Sequence, residues 1–438
     1  MDKQIKILII SSTPWDDNNS FGSSFSNIFG GNPNYEIANI YCLFGLPNTK
    51  VAKHFFQITE KGIVRTLLGK QKFSGKQIFT SVNENFPDTM LSNSEMKFIN
   101  KLKILRWQIF FWIRDLVWST GKWKSKPLDD FITNFQPDLI FLPIYYSTYM
   151  NTIGLYAQKK AGVKMVGYIS DDCYTLKHFS LSPLFWIDRF IKRAYVKKAI
   201  DQCEILYTIT ETQKNEYNAI FGNKCKVLFK GGDFDDFSHQ KKILNHPIKI
   251  IYTGNLGMGR WKSLAKIGEA LQFINCDGLI AQLYIYSQTH LSASAMEKLK
   301  LIDAICFMGG IPSTKVKDVQ RDADILVHVE SFKLSERNSA RLSFSTKIVD
   351  YLEAGRCIVA VGWEKTGAIE YLMENDVAIV ITDVNQIYNQ LNNLIGNKQL
   401  IFDYAIRGFE LGKKNHQFEK IRNGLYNDLV FVATSNNM

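Results

Sequence analysis

Ser343-Phe-Ser-Thr-Lys-Ile-Val-Asp-Tyr-Leu-Glu-Ala-Gly-Arg-Cys-Ile-Val-Ala-Val-Gly362 is the stretch whose reading decides the fold. It reads as a loop, one helix, a glycine stop and a buried strand. Ile348, Tyr351 and Leu352 recur at the three- and four-residue spacing of a packed helix face. Gly355 suits a left-handed cap, and the apolar run from Cys357 to Val361 suits a strand buried in a parallel sheet. Ser345, Thr346 and Lys347 stand where the helix begins. Free backbone N–H groups and the positive helix end favour phosphate there, and Lys347 adds a full charge. Asp350 is one turn further in, at a distance suited to sugar hydroxyls. A diphosphate next to a ribose fits this arrangement.

A second phosphate-type loop stands upstream, in Ile250-Ile-Tyr-Thr-Gly-Asn-Leu-Gly-Met-Gly-Arg-Trp-Lys-Ser263. A buried strand runs into a loop carrying Gly254, Asn255, Gly257 and Gly259, and a helix follows. Glycines let the backbone approach a ligand closely. Arg260 offers a planar fork to a phosphate and Lys262 a point charge. The glycine order is not the dinucleotide fingerprint, and no G-K-[ST] follows, so neither a nicotinamide enzyme nor a Walker ATPase is indicated.

Around these two loops the chain alternates strand-like and helical patterns. Strands are expected over 5–10, 37–42, 139–142, 165–169, 205–209 and 227–229, then 248–252, 281–286, 305–308, 325–329, 357–361 and 377–381. Such alternation predicts an α/β protein with doubly wound parallel sheets. The polar stretch 235–247 divides it into a first domain over 1–234 and a second over 248–412, with a final helical segment over 413–438.

Together the two loops resemble the donor-side motifs of the GT-B glycosyltransferases, mainly the retaining, family-4-like group. The resemblance covers the second domain, and reaches the first mostly through topology. It implies two Rossmann-like domains facing a cleft, with the last helix crossing back to the first domain. It implies a nucleotide-diphosphate sugar as co-substrate, held by Gly254, Asn255, Gly257, Arg260, Lys262, Ser345, Thr346, Lys347 and Asp350, with the base near Ile311 and Val316. No cofactor or metal is expected. Those enzymes often carry two glutamates eight residues apart, the second five before a glycine. Asp350 takes the second place and Leu342 falls on the first, where it has no carboxylate to offer. Glu330, at the end of an expected strand, is the candidate replacement. The resemblance further implies transfer, with retention, to a polysaccharide or lipid-linked acceptor in bacterial surface-glycan synthesis. The rival readings are a non-catalytic partner subunit, for which Leu342 speaks, and a sugar-nucleotide epimerase.

In the first domain, Asp171 and Asp172 follow an expected strand, at the strand end where α/β proteins hold ligands. Asp172 is the candidate for orienting the acceptor, although aspartate also suits a simple helix cap. Gly22, Ser23 and Asp171 are expected on the acceptor and phosphate side. Asp233-Phe-Asp235 and His328-Val-Glu330 imitate metal-binding motifs. The first lies in the linker, and the second lacks the P-C-x-x-C of a zinc deaminase.

The insertion over about 51–130 breaks the alternation. A helix is expected over 98–118, striped by Phe98, Leu102, Leu105, Ile109, Trp112 and Leu116 and ringed by Lys101, Lys103, Arg106 and Arg114. The stripe reads as core. A basic helix is expected over 185–200, with Arg189, Lys192, Arg193, Lys197 and Lys198. The net charge of +11 calls for an anionic partner. A nucleotide and the inner face of an anionic plasma membrane are the expected ones, since no nucleic-acid-binding signature is present. Seven cysteines without a CxxC pair point to reduced, buried thiols and a cytoplasmic protein. No signal peptide or membrane span is expected.

Overall fold

A computed structural model of the protein describes residues 4–79, 108–237 and 243–435. Among these residues the strands form two sheets. The first has the order β4-β3-β2-β1-β5-β6-β7-β8. Its members are β1 (Ile5–Ser11), β2 (Tyr35–Tyr41), β3 (His54–Gln57), β4 (Lys76–Ile78), β5 (Leu139–Pro143), β6 (Lys164–Ile169), β7 (Cys203–Thr208) and β8 (Cys225–Val227). The second has the order β11-β10-β9-β12-β13-β14. It comprises β9 (Ile248–Thr253), β10 (Ala281–Tyr286), β11 (Ile305–Gly309), β12 (Ile325–Val329), β13 (Cys357–Val361) and β14 (Ile379–Ile381). All pairings are parallel except β3 with β4. The central strands are buried on both faces, which is why they read as unbroken apolar runs.

The expected strands are present with small shifts: 227–229 becomes Cys225–Val227, and 377–381 shortens to Ile379–Ile381. Strands β3 and β4 were not expected. They are short and extend the sheet into the insertion, where length and pattern give little signal. The helix Phe418–Thr434 returns to the first sheet, burying Leu425, Leu429 and Val432 with Ile5, Ile7, Ile9 and Phe29.

Two expected helices differ in detail. The helix expected over 98–118 is described as Gln108–Thr120. Phe98, Leu102, Leu105, Lys101, Lys103 and Arg106 lie outside the described residues. Of the stripe residues whose side chains are described, Trp112 is half-buried and Leu116 is exposed, while Trp118, which is not in the stripe, is buried. The basic helix is Pro183–Asp201, but Arg189 and Lys192 are buried rather than presented to a partner. Among the described residues no helix is long and apolar enough to cross a membrane. The cysteines are all free thiols, and only Cys276 is exposed.

Candidate functional site

In the second sheet β9 lies between β10 and β12, so the chain winds outward in one direction through β10 and β11 and in the other through β12, β13 and β14. Where winding reverses, loops leave neighbouring strand ends in opposite directions and open a crevice. A cavity of about 550 Å³ occupies that place. Thr253, Gly254 and Asn255 line it from the end of β9, Ile311 and Val316 from the segment after β11, and Lys347 and Asp350 from the helix Lys347–Ala354. Asn18, from the loop after β1 in the other domain, closes one side.

The helix Lys347–Ala354 is fixed by its apolar face and its end. Ile348, Val349, Tyr351 and Leu352 are buried, and the Tyr351 hydroxyl donates to the Val327 carbonyl at 3.2 Å. Gly355 ends the helix at φ 59°, a left-handed conformation that glycine adopts without penalty. No side chain caps the start of the helix. Lys347 therefore projects from an uncapped, positive helix end into the cavity. Its ammonium is 5.4 Å from the centre of the Tyr252 ring and packs against Gly254, where any side chain would take the same space. Among the described residues this ammonium has no hydrogen-bond or ion-pair partner. Burial, reinforced by the positive charge of Arg260, pushes Lys347 down to about 8.

Arg260 is the first residue of the helix Arg260–Ile274, entered through Gly259 at φ 74°. Its Nε and Nη2 donate to the two oxygens of Glu330 at 3.0 and 3.1 Å, a fork-to-fork pair. Glu330 is thus held by Arg260 at the end of β12, and Lys347 feels the charge of both. His328 lies 3.6 Å from the Glu330 carboxylate. Burial, with Lys347 and Arg260 nearby, lowers its ring to about 3, leaving it neutral. Asp350 is engaged by Lys230 Nζ, which approaches from the segment after β8.

Other expected site residues stand elsewhere. Lys262 is exposed, its ammonium 5.7 Å from the centre of the Trp261 ring; neither it nor Arg260 lines the cavity, but the charge of Arg260 acts on Lys347, which does. Arg260 and Lys262 are two residues apart on one helix, so they cannot share a face. Gly257 stays in the loop, donating its N–H to Asn255 Oδ1 at 2.6 Å. Ser345 and Thr346 precede Lys347 without making a cap. Gly22 and Ser23 belong to the helix Ser20–Phe29, with Gly22 packed on the Asp16 backbone and Ser23 exposed. The contribution of that region to the cavity is Asn18 instead.

Asp172 is corrected most clearly. It is buried, and accepts from the N–H groups of Tyr174 and Thr175, from the Thr175 hydroxyl, from Arg189 at 3.3 Å and from Arg341 at 3.4 Å. Burial alone would raise its carboxyl. Hydrogen bonding from His178 and Thr175 and the charge of Arg189 overcome that and hold it well below the usual carboxylate range. With its oxygens so occupied, Asp172 has nothing left to orient an acceptor. It joins the domains: Arg341 comes from the second, and also grips Glu216 of the first at 2.5 and 2.9 Å. Asp171 has the same use, accepting from Ser343 Oγ at 2.7 Å. Between them Leu342 is fully buried in the first domain's core. Leu342 does not line the cavity.

Sequence reasoning missed Asn18, Lys230 and Arg341. Each acts across the domain boundary, and nothing in its local pattern signals that. Among the described residues no group of His, Cys, Asp and Glu is arranged to hold a metal ion.

No family model matches this sequence, and no curated protein is similar to it. Solved structures do match over nearly the whole chain. HepE from Anabaena, in complex with UDP, is 12% identical with a TM-score of 0.62, covering 97% of this chain and 100% of its own. TarM from S. aureus, in complex with fondaparinux, alpha-GlcNAc-glycerol and UDP, is 10% identical at 0.61, covering 97% and 99%. WaaG, described as a glycosyltransferase involved in lipopolysaccharide biosynthesis, is 12% identical at 0.55, covering 97% and 99%. The likeness establishes the GT-B fold for this chain.

Proposed function

We propose that the protein is a glycosyltransferase moving a sugar from a nucleotide-diphosphate sugar to a polysaccharide or lipid-linked acceptor in bacterial surface-glycan synthesis. The observation that carries this reading is the unpartnered ammonium of Lys347, held in a cavity at an uncapped helix start. A half-buried cation without a partner costs stability unless an anion completes it. HepE, which shares the fold, has been crystallised with UDP-glucose as well as UDP, which fits a donor of that class.

In this reading the diphosphate lies against Lys347, the free edge of Arg260 and the helix start, and the base lies near Ile311 and Val316. Glu330 is a positioning residue that aims Arg260, and Asp350 with Lys230 faces the sugar hydroxyls. The bond from the sugar's anomeric carbon to the diphosphate oxygen breaks, and its electron pair leaves with the nucleotide. The acceptor hydroxyl oxygen bonds to that carbon, and its proton passes to the departing diphosphate. Stabilising the leaving charge is the dominant catalytic term. It is assigned to Lys347 and Arg260 rather than to a metal ion. Retention of configuration is assigned from the motif resemblance. The acceptor occupies the first domain, with the protein cytoplasmic and peripheral at the inner face of the plasma membrane.

The test is a panel of nucleotide sugars, scored by thermal shift and by donor hydrolysis, on the wild type and on Lys347→Ala. One preferred donor should raise the melting temperature of the wild type only. A ligand at a hundred times its Kd stabilises by about 2.7 kcal/mol, an easily read shift. Absence of any shift, or the same shift in both proteins, contradicts the reading.

A further inference from the structure

The first half of the helix Pro183–Asp201 is built inside out. Asp188, Arg189 and Lys192 are 3–4% exposed, whereas Leu184, Ile187, Phe190 and Ile191 are 44–54% exposed. The buried charges are accounted for. Asp188 accepts from Trp112 Nε1 at 3.0 Å and Tyr146 Oη at 3.0 Å, and pairs with Lys192 at 2.9 Å. Arg189 donates to the carbonyls of Thr175 and Asp172. Turning these polar groups inward forces the apolar side of the helix outward.

The neighbouring elements continue the same surface. The helix Gln108–Thr120 packs against both Pro183–Asp201 and Glu60–Leu67, and Ile113 and Leu116 are exposed on it. Val64, Leu67 and Leu68 are exposed on and just after Glu60–Leu67. Exposed apolar side chains gathered on three adjoining helices point to an interaction site rather than ordinary scatter. Lys61 and Arg65 on Glu60–Leu67, and Lys70 and Lys72 just after it, stand exposed and make no ion pair among the described residues. Of the carboxylates nearby, Glu60 lies 3.9 Å from Arg114, Asp188 is paired with Lys192, and Asp115 has its Oδ1 buried away from the surface.

We infer that this three-helix face seats the protein on an anionic lipid bilayer. Apolar side chains enter the boundary of the acyl layer, and the flanking cations meet acidic headgroups. A second copy of the chain fits less well, because the Glu60 and Asp188 carboxylates that its own face could offer to these cations are already engaged. The face begins just beyond Asp172 and the exposed residues Leu176, Phe179 and Leu181, at the domain boundary. A membrane-bound acceptor would thus reach the first domain from the bilayer. That last step rests on the proposed transferase reading, whereas the docking itself does not.

The test uses the full chain without sugar nucleotide, so its outcome is separable from that of the transferase reading. Co-sedimentation is measured with vesicles of phosphatidylcholine alone and with vesicles also containing phosphatidylglycerol. The wild type should bind the anionic vesicles and barely bind the neutral ones. Ile187→Asp with Ile191→Asp should weaken binding at least about tenfold. Lys61→Ala and Arg65→Ala, which leave the helix packing untouched, should each weaken it about fivefold. No vesicle binding by the wild type, or equal binding by all variants, overturns the inference. So does a dimer by light scattering that the paired aspartates dissociate.

Discussion

Asp172 and Glu330 are both buried carboxylates at strand ends facing arginine, and they do opposite work. Asp172 is saturated by donors from both domains. Glu330 is held by one fork, and beside it Lys347 has no partner, with open space in front. A closed set of charges is a joint. An incomplete one is a binding site, because its missing member arrives with the ligand. Both centres hold arginine, so the distinction lies in what remains unpaired rather than in residue type.

The largest expected effect breaks the joint. Removing one partner of a buried ionic cluster leaves the rest uncompensated, typically at about 3–5 kcal/mol. Asp172→Ala should lower stability by that order in denaturant unfolding. Because the carboxyl is depressed in the fold, its contribution is present above the ordinary carboxylate range and is lost as pH falls. The domain joint should therefore weaken selectively in acid, and the variant's stability should depend less on pH than the wild type's there.

Lys347→Ala sharpens the contrast from the other side. It should weaken donor binding by about 2–3 kcal/mol, the worth of a hydrogen bond to a charged group, measured by calorimetry. Stability without donor should hold or rise, since an unpartnered, half-buried charge is gone. A large loss of stability would place Lys347 with the joint. Next in size is a pH effect. With Lys347 at about 8 in the free protein, donor affinity should fall above pH 8 as the ammonium deprotonates, by up to tenfold per pH unit. Binding there should take up a proton, visible as a buffer-dependent calorimetric heat. Lys347→Arg should flatten the profile, because guanidinium stays charged. The smallest effect is Lys262→Ala, which should leave donor affinity within about twofold, as for other surface substitutions.

Much of the second domain was legible because its signals are local. Gly355 sits one residue past its helix, the strands are unbroken apolar runs, and Lys347 and Asp350 fall at fixed offsets from that glycine. At residue 342 the same spacing shows only that a leucine stands in the first carboxylate's place, because it counts positions along the chain and does not register that Leu342 packs in the first domain's core. Lys262 and Lys347 looked alike as lysines near glycine loops, and only helix rotation and packing separate them. On Pro183–Asp201 the sequence supported a basic helix, but not which of its charges turn inward. That choice went to the buried network around Asp188 and Arg189.

The amino-acid sequence alone determined the alternation of strands and helices, the helix ends and the phosphate-type loops, because each depends on backbone conformation and on contacts within a few residues. Tertiary structure alone decided which carboxylate closes a joint, which lysine is left without a partner and which helix face meets the outside. Those properties depend on desolvation and on charges brought together from distant parts of the chain, such as Arg341 with Asp172 and Lys230 with Asp350.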